Sequence, residues 1–401
     1  MVLTVVHRAE QMLNHLVEAA RLTVPDDLAE FFAEHGRSLG AEEVTVYLVD
    51  HQQYALVPLP RRSGADRPPL GIDTTVAGLC FRRLDVQESD GGRRMWVPVL
   101  DGLERVGVLE LGFDDPGDRA DDRQVQAFAA LIAELVMVKG AYGDLFHEVR
   151  RRERMSTAAE IAWNLLPPLT FGTDRLVISA VLAPAYDLGG DSFDYAVDAT
   201  TARFAVFDAM GHGLDAGWLA TLAIGAYRNS RRHGLDLAAT VAAVDGTLNR
   251  QFDGARFVTA VLAELDLATG RLRWHSAGHP APLLLRSGRV VKTLTAGRGL
   301  PLGLGALGSG VDLAGERLER GDRLLLFTDG VPEARSPEGR FFGLDRLADL
   351  IAREDAAGQA APEIMRRLMH AILAHQNGDL GDDATILLVE WQGGGADRIT
   401  P

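Results

Sequence analysis

Val206-Phe207-Asp208-Ala209-Met210-Gly211-His212-Gly213 carries an apolar run into a carboxylate, followed by two glycines around a histidine. The apolar residues 204–207 read as a buried strand, and a helical pattern starts at Leu214. Asp208 therefore stands where a strand leaves the core. Glycines at such a place let the backbone turn sharply and approach a ligand closely. An acid there either caps the following helix or binds something positively charged.

The design recurs along the chain. Residues 176–182 read as a strand leading to Gly189-Gly190-Asp191-Ser192-Phe193-Asp194. Another strand, 324–327, runs into Thr328-Asp329-Gly330. Gly381-Asp382-Asp383-Ala384-Thr385 opens a last one, 386–389. Four acidic turns, each against an apolar strand, are hard to explain as four caps. Two unit charges about 4 Å apart repel by roughly 4 kcal/mol at an effective dielectric near 20. If these carboxylates converge, a cation must neutralise them. Oxygen ligands without a Cys or His cluster point to Mg²⁺ or Mn²⁺ rather than zinc.

The ordered motifs GGDxxD, DxxGHG, FVTA, AGHP, TDG and DDxT, over about 157–392, resemble the metal-dependent protein Ser/Thr phosphatases (type 2C-like). The resemblance is to their bacterial branch of stage II sporulation protein E (SpoIIE) and RsbU-type regulators. It implies an αββα sandwich and a two-metal site. Asp191, Asp208, Asp329 and Asp382 would bind the ions, with Asp208 as the bridge, and Ala209 would lend its backbone carbonyl. Asp208 and Asp329 are the implied catalytic pair. Asp194 and Asp383 would stand as outer-shell or water-mediated ligands. Such metals polarise a phosphoryl oxygen and acidify water. His212 reads as a proton donor, a phosphate contact or a turn residue, and His279 as structural. Ser276 replaces the Asn usual before Ala-Gly-His. The implied substrate is phosphoserine or phosphothreonine on an anti-sigma-factor antagonist.

With 401 residues, two domains are expected, and 47% hydrophobic residues can fill two cores. A net charge of −15 argues against nucleic-acid binding and against anionic membranes. Cys80 is the sole cysteine, so no internal disulfide can form and a cytoplasmic setting fits. In its apolar context, Cys80 reads as packing rather than as a reactive thiol. No signal peptide or membrane span is expected.

The expected fold class is α+β. Residues 1–23 read as an amphipathic helix. Residues 24–120 read as a sensor domain with an antiparallel sheet. Its segments WVPVLDGLERVGVLEL and TTVAGLC resemble GAF domains, which implies an unidentified ligand or activator. Residues 121–168 read as a helical linker. Phe128, Leu131, Leu135, Val138, Tyr142, Leu145 and Val149 form a heptad seam over a single long helix, which predicts a homodimer. Gly140 and Gly143 weaken that helix. Ser156 or Thr157 can cap a short switch helix that ends at Leu166-Pro167-Pro168, where Ala162 and Trp163 replace the polar residues usual in the family. The phosphatase domain spans 169–392 and a tail 393–401. The alternatives are a degenerate phosphatase fold serving as a binding module, and a purely ligand-sensing scaffold.

Overall fold

The computed structural model describes residues 21–62, 67–187, 189–305, 310–378 and 381–393. Residues 1–20 of the expected N-terminal helix and the tail beyond 393 lie outside them. The chain divides into two compact units, Met1–Glu153 and Arg154–Pro401.

The first unit runs α1 (Leu28–Gly36), β1 (Glu43–Val49), β2 (Ala55–Pro58), β3 (Leu70–Gly71), α2 (Val76–Arg83), β4 (Gln87–Ser89), β5 (Arg94–Asp101), β6 (Glu104–Gly112), α3 (Asp122–Lys139) and α4 (Leu145–Val149). Its strands form one antiparallel sheet in the order β3-β2-β1-β6-β5-β4. Alternation along the strands gives the sheet two apolar faces. Val44, Val46, Leu48, Leu109 and Leu111 pack with Phe32 of α1 and with Phe128 and Ile132 of α3. Tyr47, Val49, Trp96 and Val108 pack with Cys80 and Phe81 of α2. Burial pushes the Cys80 thiol up, which makes it an inert core residue.

The single long helix is not formed. α3 ends at Lys139, and Gly143 is fully extended at φ −171° and ψ 170°. The chain then folds back onto its own sheet. Phe146 is buried, the Arg150 carbonyl accepts from the His51 amide, and the Arg150 guanidinium donates to the Val49 carbonyl. Tertiary anchoring at these points outweighs helix continuation through two glycines. The seam is broken accordingly. Phe128 faces its own core, while Val138 and Tyr142 are 54% and 75% exposed. By length and composition α3 could cross a membrane. Its packing through Val125, Phe128, Ala129, Ile132, Ala133 and Val136 accounts for that composition.

The second unit runs α5 (Thr157–Leu165), β7 (Thr170–Gly172), β8 (Leu176–Ala183), β9 (Asp191–Val197), β10 (Thr201–Ala209), α6 (Gly213–Arg232), α7 (Leu237–Phe252), β11 (Val258–Asp266), β12 (Arg271–Ala277), β13 (Leu283–Arg286), β14 (Arg289–Thr293), β15 (Arg298–Gly299), β16 (Ala314–Arg317), β17 (Arg323–Phe327), α8 (Leu344–Ala356), α9 (Ala361–His375) and β18 (Ala384–Trp391). One sheet is ordered β15-β12-β11-β10-β9, with β16 on β12. The other is ordered β14-β13-β17-β18-β8-β7. Ile178, Phe193, Phe204, Val206, Val261, Leu326 and Leu387 fill the space between them. Ala205, Phe207 and Leu262 point the other way, into α6 and α7. α9 lies on the second sheet, against β8 and β18. The result is the expected helix–sheet–sheet–helix sandwich.

Candidate metal centre

The register of β9, β10 and β11 sets Asp191 opposite Asp208, and Asp208 opposite Thr259. Directly paired residues share a face of the sheet, so three polar side chains line up at the end of three strands. Beyond Asp208, Gly211 and Gly213 take φ of +98° and +67°, which start α6 without the strain other residues would suffer.

The second sheet supplies the remaining acids. Asp329 follows β17, and Asp382 and Asp383 precede β18. A Cβ on Gly330 would lie 1.9 Å from the Asp383 carbonyl oxygen, so glycine is what lets these two turns touch. Thr328 stitches the sheets together: its hydroxyl donates to Asp191 at 2.6 Å and accepts from the Thr385 amide at 2.9 Å.

Among the described residues, no Lys, Arg or His stands among the main influences on these acids. Burial, then Asp208 and Asp383, hold the Asp191 carboxyl well above the usual range. Burial, then Asp329 and Asp382, raise Asp208 to about 7. Asp329 is raised by burial, Asp382 and Glu333. The expected ligands Asp191, Asp208, Asp329 and Asp382 thus meet at one end of the sandwich. Ala209 sits beside them, its amide donating to the Gly190 carbonyl at 3.1 Å.

The two expected outer ligands have other work. Asp383 accepts from the amides of Gly189, Gly190 and Asp191 at 2.7, 2.7 and 3.3 Å, which ties the Gly-Gly-Asp turn in place. Asp194 points to the opposite face, as the odd spacing from Asp191 requires. There it accepts from Arg228 at 2.7 and 3.0 Å and also from Arg231. His212 is exposed at the start of α6, and its side chain makes no capping bond. Ser276 donates to the His279 carbonyl at 3.0 Å and so fixes the Ala-Gly-His turn. Sequence reading singled out neither Thr259 nor Thr328 as a site residue. The signal was present: each lies inside a motif, Thr259 in FVTA and Thr328 in TDG, the latter directly before Asp329.

All candidate ligands are oxygens, which suits a divalent cation, and the carboxyls of Asp191, Asp208 and Asp329 are raised. Among the described residues, no three acidic, His or Cys side chains close on one point.

Sandwich and acidic end together resemble those expected of the metal-dependent protein phosphatases. Residues 198–392 match the family described as stage II sporulation protein E (SpoIIE). Phosphoserine phosphatase RsbU of Bacillus subtilis is 26% identical over 64% of this chain and 77% of its own. Phosphoserine phosphatase RsbP of the same organism is 25% identical over 54% of this chain and 53% of its own. Among solved structures, the RsbU and RsbW domains of Rv1364c from Mycobacterium tuberculosis share 28% identity over 55% of this chain and 61% of that one, with a TM-score of 0.47. Residues 198–392 thus carry a PP2C-type phosphatase domain related to stage II sporulation protein E and to the phosphoserine phosphatase RsbU.

Proposed function

We propose that the chain removes phosphate from phosphoserine or phosphothreonine on a protein, using two Mg²⁺ or Mn²⁺ ions held by Asp191, Asp208, Asp329, Asp382 and the Ala209 carbonyl. The observation that carries this is the row of paired residues at the ends of β9 and β10. It sets two carboxylates side by side against two more from the other sheet. Bound there, the ions would polarise the phosphoryl group and acidify water. The chain's own part is to hold the acids. Asp383 pins the Gly-Gly-Asp turn, Thr328 orients Asp191, and exposed His212 stands at the mouth to contact phosphate or a leaving group. Turnover of p-nitrophenyl phosphate with Mn²⁺, and none with a chelator, is the expected result. Metal-independent turnover, or none at all, would refute it and favour the binding-module alternative.

The relatives RsbU and RsbP, both phosphoserine phosphatases, support a phosphoserine substrate, and the family resemblance extends this reading to an anti-sigma-factor antagonist. The lone buried cysteine and acidic charge favour a cytoplasmic setting. The antiparallel sheet and its 94–112 hairpin support a GAF-like sensor in the first unit. Regulation would act through α5. Ser156 caps it, accepting from the Ala159 amide. Its Trp163 indole donates to the Ala185 carbonyl at 2.8 Å, and the Ser156 amide donates to the Tyr186 carbonyl at 2.7 Å. Arg228 joins the Leu165 carbonyl at 2.5 Å to Asp194 on β9. The helix is thereby tied to both flanks of Asp191. Trp163→Ala should raise the Mn²⁺ concentration for half-maximal activity; an unchanged titration would reduce α5 to a tether. A homodimer remains our reading of the half-exposed Leu131, Leu135, Val138 and Tyr142 face. Light scattering should show Leu135→Asp as a monomer and the wild type as a dimer, and a monomeric wild type would end it.

A further inference from the structure

We infer that Thr259 and His279 are positioning residues that fix the orientation of Asp208 through a hydrogen-bonded chain. This rests on the metal-site reading above. Thr259 lies directly across from Asp208 on the neighbouring strand. Its Oγ1 is 3.3 Å from Asp208 Oδ2 on one side and 2.7 Å from His279 Nδ1 on the other.

The direction of the chain follows from proton counting. A hydroxyl has one proton and two lone pairs, and an ionised carboxylate can only accept. Thr259 must therefore give its proton to Asp208 whenever Asp208 serves as a ligand. Its second bond, to His279, is then one that it accepts, so His279 carries its proton on Nδ1. His279 is buried, and burial lowers its pKa to about 4, so the ring is neutral and has a single proton to place. Nε2 makes no hydrogen bond of full geometry, though the Phe327 backbone carbonyl lies beside the ring as a second place for that proton, so Nδ1–H is the form required when Asp208 is ionised and held by Thr259. The ring is aimed by its turn, which Ser276 holds from the end of β12.

A neutral chain has a particular merit beside a metal ligand. An arginine in the same place would orient Asp208 but also neutralise it, in competition with the cation. A threonine backed by a neutral imidazole orients one oxygen and leaves the charge available. Partners of this second kind commonly contribute about 10- to 100-fold to metal affinity.

The test is Mn²⁺ binding to the full chain by isothermal titration calorimetry, without substrate. Thr259→Val keeps the shape and removes the hydroxyl; its Kd should rise about tenfold. Thr259→Ser should bind within about twofold of wild type. His279→Phe should weaken binding as Thr259→Val does, and His279→Asn, which can offer an amide near the Nδ1 position, should recover part of the loss. The metal-free unfolding midpoint of each variant identifies any that fail to fold, and the His279→Asn and Thr259→Ser pair then carries the test. Wild-type affinity in Thr259→Val overturns the inference. So does a Thr259→Ser variant as weak as Thr259→Val, because the hydroxyl would then not be the cause. Absence of Mn²⁺ binding in the wild type would instead remove the metal-site reading and this inference with it.

Discussion

Asp191 and Asp194 lie three residues apart on β9, and both are almost fully buried, at 3% and 1% exposure. Asp194 faces α6 and meets two arginines. Asp191 faces the other way and meets Asp208, Asp383 and a threonine hydroxyl. A carboxylate buried with its own counter-charges is a structural element, because removing it strands cations in the interior. A carboxylate buried among other carboxylates is costly while ionised, and is relieved either by taking up a proton or by a cation supplied from outside. On the proposed reading, the same residue type in the same strand would serve architecture on one face and chemistry on the other.

The sharpest way to break this contrast is to neutralise the acids one at a time. Asp191→Asn, Asp208→Asn and Asp329→Asn should each lower Mn²⁺-dependent p-nitrophenyl phosphate turnover by about a thousandfold or more, worth about 4 kcal/mol of barrier. Circular dichroism should show the fold retained. Near wild-type rates at saturating Mn²⁺ in any of the three would remove that residue from the site. Asp194→Asn should do the reverse. It leaves Arg228 and Arg231 without their partner and should cost about 3 kcal/mol in urea unfolding. An unfolding midpoint equal to wild type would show the arginine pair to be solvated and the contrast false.

The smallest expected effect is on pH dependence. Asp208 and Asp383 have folded pKa values of about 7 and about 6, raised from 3.8 chiefly by burial. Between the unfolded and folded values the native state binds more protons than the unfolded one, so stability falls as pH rises. The contribution is fully present below about pH 4 and lost through about pH 7. Metal-free protein should therefore be more stable at pH 5 than at pH 8, Asp208→Asn should flatten that slope, and Mn²⁺ should restore stability at pH 8. A metal-free protein that grows more stable across this window would mean the acids are not repelling one another.

Much of the second unit was legible in the chain because its signals are local. Leu237–Phe252, Ala361–His375 and Ala384–Trp391 form over the residues that their apolar periodicity marks. The acidic turns announce themselves by glycine beside aspartate at the end of an apolar strand. Repetition of that pattern raised the question of convergence, and the family resemblance picked out Asp191, Asp208, Asp329 and Asp382. In the first unit the 94–112 hairpin was equally plain.

What the sequence could not settle depended on partners distant in the chain. A heptad pattern from Phe128 to Val149 reads as one helix, yet Phe146 and Arg150 find anchors around β1, about a hundred residues earlier, and the helix breaks at its glycines. The family resemblance ranks Asp194 as an outer-shell ligand behind Asp191, and only the placement of Arg228 and Arg231 on α6 shows that it faces away and is paired with arginines. Asp383 looks like a metal ligand until its oxygen meets the amides of the Gly-Gly-Asp turn, 192 to 194 residues away in sequence. The roles of Thr259 and His279 exist only through strand register. Periodicity and turn chemistry are properties of neighbouring residues, so the chain alone determines them. Charge compensation and hydrogen-bond direction belong to whichever groups the fold brings together, and tertiary structure alone decides those.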